Sequence, residues 1–305
     1  MTSLGCIFRP QVPPDRLLPF ARAADAAGLE EVWLWEDCFS ESGIAAAGAV
    51  LGATERVSVG IGVLPVPLRN VALTAMEIAT LSGVFPGRVV PGVGHGVQDW
   101  MGQVGARVGS PLSLLREHVE ALRRLLAGDR LTVSGRYVSL DDVALDWPPG
   151  VRPPVLSAGQ GPKTLRLVGE VADGVVLVSD TGPEGVRRAL ALVDEGRAAA
   201  GLEPVADAGP GSERPFHAVA FVPAATGRDA VERLRRAAQS WEVDVPDDDA
   251  LAEYAVWGSA EQLADGLRRF AEAGATTVVV EPTADDPDPA GFAAFLGEEV
   301  RPLLS

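Results

Sequence analysis

The chain has 305 residues, of which 47% are hydrophobic and 22% are charged, so it can bury a large core and is too apolar for disorder. Its formal net charge of −16 argues against nucleic acid or an anionic membrane as a partner, because both bind basic surfaces. Two cysteines, no N-terminal signal pattern and no apolar segment long enough to cross a bilayer predict a cytoplasmic protein without a disulfide framework.

Short apolar segments alternate with helical patterns along the whole chain. Such segments are typical of parallel strands buried on both faces, and eight of them alternating with helices predict one (β/α)8 TIM-barrel domain over residues 1–305. The predicted strands are Leu4–Phe8, Glu31–Trp35, Val57–Val63, Arg88–Val93, Pro154–Ala158, Gly174–Val178, Phe216–Val222 and Thr277–Glu281. The predicted helices are Pro14–Ala27, Asn70–Val84, Ser113–Ala127, Pro162–Val171, Pro183–Ala200, Arg228–Trp241 and Ser259–Ala273.

Three segments exceed the minimal barrel. An alanine-rich helix is predicted after strand 2 within Cys38–Thr54. A β-hairpin that turns at Ser134–Gly135 is predicted before strand 5 within Asp129–Pro149, and an acidic loop, Val243–Ala255, precedes strand 8. Because barrel enzymes build their sites at the C-terminal ends of the strands, candidate functional residues are sought there.

Two adjacent carboxylates, Glu36 and Asp37, follow strand 2 beside Trp33 and Trp35. Carboxylates at a barrel mouth can transfer protons or hydrogen-bond to a cofactor ring. The alternative is that they cap the following segment and face water. The sequence alone leaves both interpretations open.

Glycines interrupt strands 3 and 4. Gly60 and Gly62 within strand 3 indicate either a bulge with close approach of a ligand, or room for neighbouring side chains in the core. At the end of strand 4, His95 lies between Gly94 and Gly96. This histidine has little local packing, which favours contact with a ligand over a place in the core.

The three histidines do not form a metal-ligand pattern. His95, His118 and His217 are scattered and lack paired spacing, so no metal site is predicted. His118 lies in a predicted helix of alternating charge, and we expect it to be exposed.

The segment Val155–Thr164 (VLSAGQGPKT) runs from an apolar strand through glycines to a helix start, and its Lys163 is the only lysine of the chain. Glycine lets backbone N–H groups approach a ligand, and a helix N-terminus adds a partial positive charge. The turn is therefore predicted to hold the phosphate of a cofactor. A Schiff-base lysine, as in an aldolase, is the alternative for Lys163, but its place after Pro162 at a helix start disfavours that role.

Together these segments resemble the bacterial-luciferase-like flavin oxidoreductase superfamily, over nearly the whole chain. The strongest similarities are Val32–Gly43, Arg56–Asn70, Phe85–Gly96, Val155–Lys163 and Glu170–Gly174. The resemblance implies a TIM barrel with FMN or the deazaflavin coenzyme F420 over its C-terminal mouth, and strands 3 and 4 look closer to the F420 branch. Asp37 and Cys38 replace the histidine pair of luciferases, and His95 replaces an arginine, which argues against luciferase-type oxygen chemistry.

The resemblance also implies the site residues. The catalytic candidates are Glu36 and His95, which match family positions, and Asp37, which departs from the family and is a candidate as the second carboxylate at the strand-2 end. Gly62–Val63 corresponds to a bulge with a non-prolyl cis peptide behind the cofactor ring. The implied cofactor contacts are Glu36, Gly62, Val63, Leu64, His95, Gly96, Gln98, Ala158, Gly159, Gln160, Gly161, Pro162 and Lys163.

The predicted function is hydride transfer between coenzyme F420 and a small organic substrate, by a chain that forms a homodimer. One alternative is an FMN-dependent monooxygenase that uses reduced flavin and O2, and another is a barrel that binds flavin without catalysis. F420 is polyanionic and the chain carries −16, so Lys163 and loop amides must act locally, which screening over about 8 Å permits. No pattern in the loops around Ser40, Trp100–Val108 and Asp244–Tyr254 identifies the substrate.

Overall fold

The structure, a computed structural model, describes residues 2–240 and 243–304. The predicted helix Arg228–Trp241 ends at Trp241, which lies outside the described residues. The strands are β1 Ser3–Phe8, β2 Glu31–Leu34, β3 Ser58–Pro65, β4 Val89–Gly94, β5 Leu131–Ser134, β6 Ser139–Val143, β7 Leu156–Ala158, β8 Gly174–Leu177, β9 His217–Ala225, β10 Val256–Trp257 and β11 Thr277–Pro282. The α-helices are α1 Leu17–Ala27, α2 Gly43–Ala53, α3 Val71–Val84, α4 Gln98–Gln103, α5 Pro111–Leu126, α6 Pro162–Val171, α7 Pro183–Ala199, α8 Ala230–Ser240, α9 Asp248–Ala252, α10 Ala260–Glu272 and α11 Pro289–Phe295. Short 3-10 turns cover Pro14–Arg16, Val66–Leu68, Val205–Asp207 and Arg301–Leu304, and a π-helical turn covers Leu296–Val300.

Eight parallel strands close into a barrel, which confirms the predicted TIM-barrel fold. The order around the barrel is β1, β2, β3, β4, β7, β8, β9 and β11, and pairing of β8 with β9 and of β11 with β1 closes it. The two-residue strand β10 pairs in parallel with the last two residues of β9. The antiparallel pair β5–β6 forms a separate sheet, which is the predicted hairpin. Helices alternate with the barrel strands along the chain.

A tryptophan fills the interior of the barrel. Trp33 of β2 is fully buried, and its ring meets Phe221 of β9 edge to face with 5.5 Å between centroids. A Cβ atom on Gly60 would lie 2.3 Å from the Trp33 ring. Gly60 therefore makes room for a core side chain, the second of the two interpretations of this glycine. The packed interior forms a floor beneath the mouth, because side chains rather than a pore fill small barrels.

Helix ends follow local capping chemistry. Ser259 and Gln262 form a reciprocal capping box at the start of α10, and Gly28 ends α1 in the left-handed region at φ 83°. Helix α5 starts at Pro111, two residues earlier than predicted, with Ser110 as its N-cap residue. Proline at the first helical position explains the earlier start, because its fixed φ suits that place.

His118 on α5 is buried, so the expectation of an exposed histidine is wrong. The side chain is 1% exposed, and burial lowers its pKa to about 4. Leu114 and Leu122 stand four residues before and after it, and both are buried. Helical periodicity places all three on the face that packs against the barrel, and this spacing outweighs the charges between them.

The three insertions have the predicted places. Helix α2 follows β2, and Ser42 caps it through a bond accepted from the N–H of Ala45. The hairpin turn is longer than predicted, because the N–H of Gly135 donates to the carbonyl of Val138. The acidic segment before the last barrel strand, β11, contains the short helix α9. Within the described part of the chain, no helix combines the length and apolarity that spanning a membrane requires.

Candidate functional site

Strand β3 carries a bulge at the C-terminal end of the barrel. Its register against β4 shifts between Ile61 and Leu64, and the Gly62–Val63 peptide bond is cis, as the resemblance implies. A Cβ atom on Gly94 of β4 would lie 2.6 Å from Cγ2 of Val63. The glycine in β4 therefore gives the bulge the room that it needs.

The bulge faces a cavity of about 620 Å³ at the mouth of the barrel. This volume lies in the range of pockets that hold small ligands. The predicted site residues that line it are Glu36, Asp37, Gly62, Val63, His95, Gly96, Ala158, Gly159 and Gln160. Further lining residues are Trp35, Pro65, Gly94, Val97, Trp100, Val176, Val178, Ser179, Asp180 and Phe221.

Five predicted cofactor contacts do not line this cavity, namely Leu64 and Gln98 and the three residues Gly161, Pro162 and Lys163 of the phosphate turn. Leu64 is 1% exposed and packs in the core beneath α2, because the chain returns to the sheet directly after the bulge. The Gln98 side chain donates to the carbonyls of His95 and Gly96 at 3.3 Å each. Gln98 thus shapes the loop after β4 instead of facing the cavity.

The predicted phosphate turn lies at the edge of the cavity. Gly159 and Gln160 line it, whereas Gly161, Pro162 and Lys163 are exposed outside it at the start of α6. Gly161 is the N-cap residue, and a Cβ atom there would meet nothing within 4 Å. The backbone of this turn is therefore open to an anion. The exposed position of Lys163 lacks the apolar surroundings that an aldolase lysine needs.

Glu36 is held by an arginine from the loop after β3. Its Oε2 accepts from Nη2 of Arg69 at 2.8 Å and from the N–H of Gly43 at 2.8 Å, and its Oε1 contacts Nη1 of the same guanidinium. Arg69 also pairs with Glu77 at 3.2 Å. Both oxygens of Glu36 are thus engaged in a bidentate ion pair with Arg69. This geometry favours the first strand-2 carboxylate as a structural group.

Asp37 is the second strand-2 carboxylate, and its surroundings differ. Burial raises the pKa of Asp37, and the nearby Arg9 guanidinium opposes that rise. Arg9 follows β1, is 5% exposed and forms an ion pair with Glu281 of β11. Burial lowers the pKa of Arg9 to about 10. A carboxylate with a raised pKa in a cleft is suited to proton transfer.

The floor of the cavity is aromatic. The rings of Trp35 and Phe221 stack at 6.0 Å between centroids with 21° between their planes. The Arg9 guanidinium lies over the Trp35 ring, 4.8 Å from its centroid. A cation over an aromatic face is attracted by the ring quadrupole and fixes the ring in place. The floor is therefore apolar and rigid.

His95 follows β4, which is two strands around the barrel from β2, the strand that Asp37 follows. Its Nε2 lies 3.2 Å from Oγ1 of Thr164, which ties the loop after β4 to α6. Burial lowers the pKa of His95, against an opposing effect of the Pro111 backbone. The imidazole is therefore neutral at neutral pH.

Two polar residues after β8 complete the wall. The Ser179 hydroxyl donates to Oε2 of Glu281, and Asp180 accepts from Nε2 of Gln160 at 3.4 Å. Ser179, Glu281 and Arg9 are not among the predicted site residues, although each stands at or just past the C-terminal end of a predicted strand. The rule that barrel sites lie at the C-terminal ends of the strands selects Glu36 and His95, and it could also have found these three residues.

The arrangement combines a flat apolar surface with two titratable groups at its edge. Such a cavity can hold a planar ligand and exchange a proton with a second molecule above it. Among residues 2–240 and 243–304, no group of three or more His, Cys, Asp or Glu side chains is placed to hold a metal ion.

Comparison with curated proteins gives two relatives of 30% identity. One is a 5,10-methylenetetrahydromethanopterin reductase of Methanolobus tindarius, matched over 66% of this chain and 61% of its own length. The other is an F420-dependent glucose-6-phosphate dehydrogenase of Microbacterium testaceum, matched over 63% of this chain and 61% of its own length. The chain thus spans less than two thirds of either relative.

Solved structures of similar fold cover the whole chain. The F420-dependent tetrahydromethanopterin reductase of Methanopyrus kandleri superimposes with a TM-score of 0.83 at 20% identity, covering 100% of this chain and 99% of that one. An F420-dependent secondary alcohol dehydrogenase, in complex with an F420–acetone adduct, gives 0.83 at 24% identity with the same coverage. At these identities the similarity establishes the fold.

A family model assigns the chain. The model described as luciferase-like monooxygenase matches residues 4–242, which include the barrel from the second residue of β1 to the end of β9 and all of the residues that line the cavity. The curated relatives are named as enzymes, and several of the names include the term F420-dependent. The chain belongs to the luciferase-like monooxygenase family and is an enzyme of that family.

Proposed function

We propose that this chain, acting as one barrel domain, is an F420-dependent oxidoreductase that moves hydride between the deazaflavin and a small organic substrate. The observation that carries the proposal is the Gly62–Val63 bulge, which faces a cavity with a flat aromatic floor. The names of the relatives support the choice of cofactor, since several are F420-dependent enzymes.

The residues present fit a flat heterocycle with an anionic tail. Gly62 and Val63 would back the ring, and Gly96 and Ala158 would border it. The open backbone at Gly159–Gly161 and the start of α6 would hold the phosphate, since a helix N-terminus favours an anion. Lys163 is exposed, follows Gln160 by three residues and would add a positive charge at the same edge of the cavity.

Coenzyme F420, when bound, supplies the acceptor or donor of a hydride. Oxidation of a secondary alcohol to its ketone releases one hydride from carbon and one proton from oxygen. The Asp37 carboxylate would take up this proton, since its raised pKa makes it a better base than an ordinary aspartate. His95, neutral and held by Thr164, would orient the reacting group. In the reverse direction Asp37, protonated, returns the proton to the carbonyl oxygen.

The FMN-dependent monooxygenase is the second candidate, because the matched family model carries that description. Under this alternative, the same cavity would hold reduced FMN and exclude water around it. Asp37 and Cys38 occupy the positions of the luciferase histidine pair, and this replacement favours the F420 function.

A titration of the purified protein distinguishes the two. We expect F420 to quench tryptophan fluorescence saturably, because Trp35 and Trp100 line the cavity, and we expect FMN to bind more weakly. Oxygen consumption is then measured with reduced FMN supplied by a flavin reductase. Saturable FMN binding, no F420 binding and oxygen uptake with a substrate would overturn the F420 function. Binding of F420 with unchanged turnover in Asp37→Asn would instead favour a passive role for the strand-2 carboxylates.

We also infer that the protein is a homodimer that buries the outer faces of α2 and α3. These faces are uncharged over most of their length, and Leu73 and Met76 are 47% and 58% exposed. Helices that are apolar all round are normally covered, and an uncharged face lets two chains of charge −16 approach. Sedimentation should show a dimer that Met76→Glu dissociates, whereas a monomeric wild type would contradict it.

A further inference from the structure

We propose that the site selects an uncharged, hydroxyl-bearing apolar substrate, or its carbonyl product, and rejects phosphorylated and carboxylated molecules. This inference rests on the proposed function and names the substrate class of that site. It follows from the charges and the hydrogen-bonding groups around the cavity, and it assigns the selection to the buried pair of Arg9 and Glu281.

The cavity wall lacks a cation. In the described part of the chain, the charged residues that line it are Glu36, Asp37 and Asp180, and neither arginine nor lysine is among the lining residues. His95 adds no charge, because burial lowers its pKa. Away from the turn at Gly159–Gly161, which the proposed function assigns to the cofactor phosphate, a phosphate or carboxylate on this wall would meet like charge without a cationic partner, and unpaired ions in such a place are strongly disfavoured.

Two arginines beside residues that line the cavity are held by carboxylates of the protein. Arg69 binds both oxygens of Glu36 and also pairs with Glu77. Arg9 pairs with Glu281 and lies over the ring of Trp35. Glu281 is 1% exposed, so the carboxylate that compensates the Arg9 charge is itself buried, and Arg9 is not among the lining residues.

Several of the polar side chains that remain on the wall accept hydrogen bonds. The Ser179 hydroxyl donates its proton to Glu281, which leaves its lone pairs for a donor from the substrate. The carboxylates of Asp37 and Asp180 also accept only, when ionised. A hydroxyl group offers the proton that these acceptors need, whereas phosphate oxygens are themselves acceptors.

The rest of the wall is apolar. Trp35 and Phe221 form the floor, Val176 and Val178 rise from β8, and Val97 and Trp100 stand on the loop after β4. A hydrocarbon body buried against these side chains gains the hydrophobic free energy that a polar sugar does not. The preferred substrate is therefore an apolar alcohol or ketone.

The first experiment compares probes that differ in charge. Cyclohexanol, hydroxycyclohexanecarboxylate and glucose 6-phosphate are assayed with the F420-loaded enzyme, and each is also titrated against the cofactor-free protein by tryptophan fluorescence. We expect kcat/KM for cyclohexanol to exceed that for the carboxylate by about 100-fold or more, as expected where a wall rejects a group that it cannot pair. With inorganic phosphate present to occupy the turn at Gly159–Gly161, saturable quenching of the cofactor-free protein is expected with cyclohexanol alone.

The second experiment releases the buried cation. Glu281→Gln removes the carboxylate partner of Arg9, and Asp180→Asn removes one negative charge from the wall. In both variants the ratio of kcat/KM for cyclohexanol to kcat/KM for the carboxylate should fall by about 10-fold or more. The fall should be larger in Glu281→Gln than in Asp180→Asn. Glu232→Gln is the matched control, because it removes one charge from an exposed ion pair with Arg236 on α8, away from the cavity.

The outcomes separate the two proposals. Failure to bind F420 removes the proposed function, while the fluorescence titrations of the cofactor-free protein still test the charge selection. F420 binding together with equal or faster turnover of the carboxylate or the phosphate would overturn the selection and keep the function. An unchanged preference in folded Asp180→Asn, with Glu281→Gln either unchanged or unfolded, would also overturn it.

Discussion

At the C-terminal mouth of the barrel, Asp37 faces the guanidinium of Arg9, which also pairs with Glu281. At the opposite end, Asp173 is held by Arg123 at 2.7 Å and Arg152 at 2.8 Å, and its Oδ2 also accepts from a backbone N–H. Burial alone would raise the pKa of both aspartates, but the arginines lower that of Asp173, whereas that of Asp37 stays raised.

The difference separates a stabilising carboxylate from a reactive one. Asp173 precedes β8 and joins it to neighbouring segments at the N-terminal end, the end of a barrel that serves stability and not catalysis. Asp37 has an incompletely compensated charge, which costs stability and provides a group that gains and loses a proton near its working range. Substitutions at the two ends should therefore affect different properties of the protein.

The largest expected effect is on catalysis at the mouth. Asp37→Asn keeps the shape of the side chain and removes the base, so turnover should fall by about 100- to 10,000-fold with F420 affinity little changed. Steady-state kinetics and an F420 titration measure the two quantities. Asp99→Asn is the control, because Asp99 is 92% exposed in an ion pair on the surface. A variant that turns over like the wild type would remove Asp37 from the mechanism.

The next effect is on stability at the opposite end. Asp173→Asn leaves partly exposed guanidinium groups without their buried carboxylate, so the free energy of unfolding should fall by about 3 kcal/mol, the lower end of the range for a broken buried pair. Urea denaturation followed by circular dichroism measures it. Asp129→Asn breaks an exposed pair with Arg124 and should cost no more than about 1 kcal/mol. Equal losses in the two variants would show that the arginine cluster does not stabilise the fold.

The contrast also shows what the sequence could predict. Strand order and the places of the insertions follow from local periodicity, which one segment carries by itself, and all of the predicted barrel strands are present. The division of labour between Glu36 and Asp37 depends on Arg69, which arrives from the next loop, and on Arg9, which arrives from β1. Partners that only the closed barrel brings together leave no spacing signal.

The same reason explains the individual differences. The neighbours of Leu64 in the chain favour a cofactor contact, but the bulge turns this side chain towards the core. Ser179 and Glu281 are 102 residues apart and meet only because β8 and β11 both end at the mouth. His118, by contrast, has a local signal in its leucine neighbours, and that helical spacing predicts its burial better than the nearby charges predict exposure.

A smaller effect is expected from filling the space behind the bulge. Gly94→Ala puts a Cβ atom 2.6 Å from Val63 and should displace the bulge, weakening F420 binding by about 10-fold, or about 1.4 kcal/mol. Gly150→Ala is the control, because a Cβ atom there meets nothing within 4 Å. The Kd of each variant is measured by fluorescence titration. Unchanged affinity in Gly94→Ala would mean that the bulge does not contact the cofactor.

The smallest effect is a difference in the sign of two pH dependences. The pKa of Asp173 is lowered in the folded state, so its contribution to stability is present above the ordinary aspartate pKa and is lost as pH falls through the lowered value. The pKa of Asp37 is raised, so the folded state binds the proton more tightly and stability falls as pH rises from the ordinary value through the raised one.

Urea denaturation of the wild type, Asp173→Asn and Asp37→Asn across the acidic range isolates each contribution. The wild-type advantage over Asp173→Asn should grow with pH, and the comparison with Asp37→Asn should run in the opposite direction. Two slopes of the same sign would mean that Arg9 compensates Asp37 as fully as the arginine cluster compensates Asp173, and the distinction between the two ends of the barrel would then have no electrostatic basis.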